Sequence, residues 1–177
     1  MDFSKKRATI YKVEPAMQSF PRKIRISVAA QRLDLLESTG ATGERLVASY
    51  PVSTSGFGLG AEPGSNKTPL GRFAIGEKIG ADAPLGAVFV SREATGEIAP
   101  PQSPGDPRDL VLTRILWLDG MEPGNANTRD RYVYLHGTNH EERIGEPCSH
   151  GCVRLRNADM VALFDLVEPG TEVVIEA

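Results

Sequence analysis

Apolar and polar residues alternate from Lys23 to Val28, KIRISV, so that Ile24, Ile26 and Val28 share one side of an extended chain. A period of two predicts a strand buried on one face. RLDLLE repeats the pattern after a short connection. STGATG (Ser38–Gly43) then supplies turn chemistry before ERLVASYPVST, and the first third reads as a meander. GRFAIGEK, GAVFVS, DLVLTRILWL, RYVYLH and TEVVIE continue the theme: short runs rich in Val, Ile, Phe and Tyr between Gly and Pro clusters. That spacing predicts a mostly β domain, a sandwich or barrel. Helical spacing is clear once, at Met160, Leu163, Phe164 and Val167. Asn157 is the expected N-cap, Asp159 falls in the first turn, and Glu168-Pro169-Gly170 ends the helix. Two long loops, STSGFGLGAEPGSNKTPLG and EIAPPQSPGDPRD, have the length expected of functional segments.

At 177 residues the chain fits one domain, with residues 1–23 as an N-terminal extension and 24–177 as the folded unit. A formal net charge of -3 argues against a nucleic-acid partner, and the run Ser4-Lys5-Lys6-Arg7 is too short to change that. No apolar stretch of secretory type follows Arg7, and none is long enough for a membrane span. As written, the chain is expected in the cytoplasm with its two cysteines reduced, or in the periplasm if an export signal is missing from it.

All three histidines and both cysteines fall between Tyr134 and Asn157, in YLHGTNHEERIGEPCSHGCVRLRN. RYVYLH ends at His136, and a loop carries the chain to Cys152 just before the helix, a layout able to bring an imidazole beside a thiol. A histidine partner would lower the thiol pKa and populate a thiolate near neutral pH. Gly151 leaves room for a substrate carbonyl and for amides that hold an oxyanion. Three other readings compete. His136, His140, Cys148, His150 and Cys152 are zinc-ligand types, but no second Cys or His pair completes a closed site. A redox dithiol is disfavoured by three residues between the cysteines instead of two. Buried inert thiols suit the polar flanks poorly.

SHGCVRLRN (Ser149–Asn157), with HGT from His136, resembles the L,D-transpeptidase catalytic domain, whose hallmark is a His followed by Ser/Thr-His-Gly-Cys. IRISVAAQRLDLLE, YPVSTS and NKTPLGRFAI extend the resemblance over roughly Ile24 to Ile175. It implies a β-sandwich of mixed sheets with one or two short helices. By position it also implies Cys152 as nucleophile, His136 as base, and Gly137 in place of the family's third member, able to orient the imidazole only through its carbonyl. Ser149, His150 and Gly151 would shape the loop, with oxyanion amides near Gly151 and Cys152. Arg154 stands where the simplest motif has Asn; it is a candidate for binding substrate carboxylates or loop carbonyls, and Thr138 is a second substrate-binding candidate. The implied substrate is the peptidoglycan stem peptide, cut between the diamino acid at position three and D-alanine at position four, with no metal or cofactor. Transfer to water makes an L,D-carboxypeptidase on soluble muropeptides, the expected outcome here; transfer to an amine makes a periplasmic cross-linker.

Overall fold

The computed structural model describes residues 21–41 and 43–177, so the basic N-terminal run lies outside the described residues. The first third is the expected meander: β1 (Arg22–Ser27), β2 (Arg32–Ser38) and β3 (Glu44–Pro51) pair antiparallel in sequence. β4 (Gly71–Ile79) and the long β7 (Val111–Gly120) form the middle of the sheet, and β10 (Glu172–Glu176) joins the two halves, parallel to β1 and antiparallel to β4. β8 (Tyr134–Gly137) lies antiparallel to β7, and β9 (Val153–Leu155) lies parallel to β8. The sheet is therefore mixed, as the resemblance implies. Among the described residues no helix is long and apolar enough to cross a membrane.

The two ends of this sheet meet. Ser53, just past β3, exchanges both backbone hydrogen bonds with Arg154 of β9, each 2.9 Å long. Leu33 and Leu35 of β2 consequently share one fully buried cluster with Leu135 of β8 and Val153 and Leu155 of β9. Burial of such side chains contributes roughly 1.5–3 kcal/mol each. It fixes β8 and β9 rigidly, and these two strands carry the candidate chemistry.

Two strands had no readable signal. β6 (Glu93–Ile98) is EATGEI, exposed at every position, and it is a strand because it completes a hairpin with β5 (Ala87–Val90). β9 is only three residues, too short to show a period. The helix α1 (Asn157–Leu166) begins differently from expectation. Arg156 occupies the N-cap without a side-chain cap bond, and Asn157 is the buried first helical residue. Glu141, far back in the sequence, caps it instead, accepting the Asn157 amide at 2.6 Å and its side-chain N–H at 2.7 Å. A carboxylate at this end also suits the helix dipole.

Asn157 explains Gly137 as well. A Cβ on Gly137 would collide with Asn157 Oδ1 and lie 2.8 Å from the Leu112 carbonyl. Only glycine lets β7, β8 and the start of α1 converge there. Gly137→Ala is expected to lower unfolding stability by about 1–3 kcal/mol, the usual cost of overpacking, as measured by denaturant melts.

Candidate active site

Alternation along β8 and β9 sends Leu135, Val153 and Leu155 into the core and leaves Tyr134, His136 and Arg154 on the opposite face. The parallel register pairs His136 with Arg154, which sets Cys152, two residues before Arg154, beside Tyr134 and diagonally next to His136. The Cys152 thiol accepts the Tyr134 amide at 3.3 Å and donates to the Tyr132 carbonyl at 3.4 Å. Tyr132 itself adopts φ 56°, a left-handed conformation costly for a tyrosine and typical of strain held at functional positions.

His136 is buried, with Nδ1 2.7 Å from the Gly137 carbonyl. A carbonyl only accepts, so Nδ1 carries the proton and Nε2 keeps its lone pair. Among the described residues no hydrogen bond joins this ring to Cys152. Burial lowers the His136 pKa, partly opposed by Asp109 and the Gly137 carbonyl. Burial likewise pushes the Cys152 thiol up to about 11, against the pull of the Tyr134 amide and of the Arg154 and Arg131 charges. Burial thus works against both members of a thiolate–imidazolium pair and favours the neutral thiol and the neutral ring.

The loop between them is built by its own polar groups. Ser149 is buried; its hydroxyl donates to the Cys152 carbonyl at 2.5 Å and its amide to the Thr54 carbonyl at 2.9 Å. Gly151 sits at φ 119°, which favours glycine, and its amide makes a long 3.3 Å bond to Ser149 Oγ. Thr138, a substrate-binding candidate by sequence, is placed otherwise: it is fully buried, and its hydroxyl accepts the His140 amide at 3.1 Å. It has no surface to offer a substrate.

Arg154 is also buried, and its guanidinium donates to Asp109 Oδ2 at 2.5 Å and to Cys148 Sγ at 3.5 Å. Asp109 takes a second bond, 2.8 Å, from His150 Nδ1. Burial works to raise the Asp109 pKa, but the Arg154 charge and the bonds from His150 and Arg154 work against it, and the carboxyl is held below its usual range. Arg154 thus sits as a clamp on the loop, already paired. Arg154→Ala is expected to cost on the order of 3 kcal/mol of stability through the stranded Asp109. A variant that melts like the parent yet shows a raised KM would return Arg154 to substrate binding.

Two cavities meet at the thiol. The larger, about 280 Å³, is lined by Asn66, Asp130, Arg131 and Tyr132. The smaller, about 80 Å³, is lined by Asp109, Val111, His136 and Arg154. Asp109 and Arg131 were not singled out from sequence. Asp109 ends the Pro-rich loop EIAPPQSPGDPRD and opens the run DLVLTRILWL, and Arg131 opens the run RYVYLH, so in sequence each reads as a charge at the edge of a strand. Among the described residues no three His, Cys, Asp or Glu converge as metal ligands. Cys148 turns toward Ser53 Oγ at 3.0 Å, His150 toward Asp109, and His140 toward Glu142.

Fold and site together define a mixed β domain that presents a thiol and imidazoles at the junction of two cavities. The chain belongs to the L,D-transpeptidase catalytic domain family, whose profile matches residues 21–175. It is similar to proteins named L,D-transpeptidase: YqjB of Bacillus subtilis, 42% identical over 52 residues, 29% of this chain and 30% of that one; YbiS of Escherichia coli, 34% over 90 residues, 51% and 26%; and YkuD of Bacillus licheniformis, 26% over 157 residues, 89% and 67%. The matched region thus spans about a quarter to a third of the first two relatives. Solved structures agree in fold. An Enterococcus faecium L,D-transpeptidase mutant superposes with TM-score 0.53 at 18% identity, over 88% of this chain and 50% of that one. A Mycobacterium smegmatis L,D-transpeptidase gives 0.52 at 18%, over 88% and 58%.

Proposed function

We propose that the protein cleaves the L-to-D bond between the diamino acid at position three and D-alanine at position four of peptidoglycan stem peptides through a Cys152 thioester, and that water is the usual acceptor. The supporting observation is the placement of Cys152 at the junction of two cavities, one residue diagonal from an imidazole with a free Nε2. In this reading the peptide enters the larger cleft. Arg131 there donates to the Gly60 and Lys67 carbonyls and the Ser65 hydroxyl and, among the described residues, has no carboxylate partner. Its charge suits an acidic peptide.

His136 Nε2 takes the thiol proton as Sγ attacks the carbonyl carbon, so that charge appears only as the bond forms. Amides of Gly151 and Cys152 receive the developing oxyanion, Gly151 releasing its long bond to Ser149. The His136 imidazolium then protonates the departing D-alanine amine, leaving the thioester. Hydrolysis is favoured by where the loop after His136 goes. Its Gly145 and Cys148 amides bond to the Val52 and Thr54 carbonyls, so it is pinned against the domain and not drawn over the thiol. The two thiols stand free, which suits a reducing compartment, and we place the reaction on soluble muropeptides in the cytoplasm.

The decisive measurement is incubation with a sugar-free stem tetrapeptide and excess acceptor amine, followed by mass spectrometry. Tripeptide plus D-alanine is the expected product. Predominant cross-linked dimer would instead make it a transpeptidase, and intact tetrapeptide would overturn the substrate.

A further inference from the structure

We propose that His150, held by Asp109, is the base that activates the water that hydrolyses the Cys152 thioester. This rests on the reading above that a thioester forms on Cys152. Asp109 is a carboxylate acceptor, so the 2.8 Å bond from His150 places a proton on Nδ1, and in the neutral ring Nε2 keeps the lone pair that a base needs. His136 is held in the same way by a carbonyl at Nδ1, and both histidines line the smaller cavity together with Cys152.

The two rings differ in access. The His136 ring is buried, with 3% of the residue exposed, and lines only the smaller cavity. His150 is 56% exposed at its side chain and packs against Phe57 with ring centroids 5.4 Å apart. His150 and Cys152 are the two residues that line both cavities. Water arriving from the open cleft therefore meets His150 before it can reach His136. Once D-alanine has left, the smaller cavity has room for a few waters at the same junction.

The step balances without any added reagent. The water oxygen bonds to the thioester carbonyl carbon while His150 Nε2 takes its proton. Collapse of the tetrahedral intermediate breaks the carbon–sulfur bond. The Cys152 thiolate recovers its proton from the His150 imidazolium, and the tripeptide acid loses its own to solvent. Asp109 stabilises the transient imidazolium and acts as a positioning residue. It is bonded to Arg154 as well, so its removal would disturb the clamp; His150 is the cleaner position to change.

The test compares acylation with deacylation. In His150→Ala, mixed with stem tetrapeptide and followed by intact-protein mass spectrometry, deacylation should slow by about 10²-fold, in the range of a positioned base. Acylation should slow far less, so the acyl-enzyme mass accumulates where the parent shows little. Free imidazole, able to enter at an exposed position, should restore hydrolysis; a merely structural histidine would not be rescued. His150→Gln, with its longer polar side chain, serves if the alanine variant melts early. Equal slowing of both steps, or hydrolysis at the parental rate, overturns the proposal while leaving thioester chemistry intact. Failure of the parent enzyme to release D-alanine would overturn the underlying function instead.

Discussion

Cys152→Ala is expected to abolish D-alanine release, whereas Cys148→Ser should retain most of it. The two thiols are only four positions apart, yet the fold assigns them opposite surroundings. Cys152 lies in both cavities beside Tyr132 and Tyr134. Cys148 lies in neither, its sulfur turned to Ser53, Arg154 and the Arg143 carbonyl. A second readout tests the resting protonation state. Burial pushes the Cys152 thiol up to about 11, so the thiolate fraction rises about tenfold per pH unit across the neutral and alkaline range. Alkylation of the substrate-free enzyme by iodoacetamide should therefore keep accelerating past pH 9. A plateau near pH 7 would show that a thiolate–imidazolium pair already exists, and would revive the ion pair that the buried geometry disfavours.

How much of this was legible in the sequence depended on whether the signal was local. β1, β2, β4 and β10 mostly bury one face, so their period shows directly, whereas β7 is buried on both faces from Leu112 to Leu116 and shows instead as an apolar-rich run. β6 buries nothing and takes its conformation from its partner, so no pattern could reveal it. Family membership and the mixed β fold were likewise readable, because Ser149–Asn157 is a contiguous motif. Long-range partners were not. Asp109 reaches Arg154 and His150 across more than forty positions, and Glu141 caps a helix that Asn157 was expected to cap for itself. Thr138 sat next to the right residues in sequence, yet β8 ends beneath the surface there and buries its hydroxyl. The surroundings of the thiol were hidden for the same reason: adjacency to histidine was visible, but the burial that works against ionisation belongs to the whole domain.

His136→Gln is expected to lower kcat/KM by about 10²-fold or more, equivalent to at least about 2.7 kcal/mol of transition-state stabilisation. Because burial favours the neutral thiol and the neutral ring, the proton is expected to move during attack, with the base contributing at the barrier instead of in the ground state. KM should accordingly change less than kcat. His140→Ala provides the comparison, since His140 is turned to Glu142 and the Arg108 carbonyl and lines neither cavity. It should be nearly silent, and equal losses in the two variants would sink the assignment. The pH profile supplies an independent check whose sign follows from burial. A lowered His136 pKa keeps Nε2 unprotonated further into acid than an ordinary imidazole with its value of 6.5. Falling pH should therefore leave kcat/KM intact through the ordinary histidine range and reduce it only below. An acidic limb centred at or above 6.5 would mean that the titrating base is a solvent-accessible group, and that the buried ring is not the one that takes the Cys152 proton.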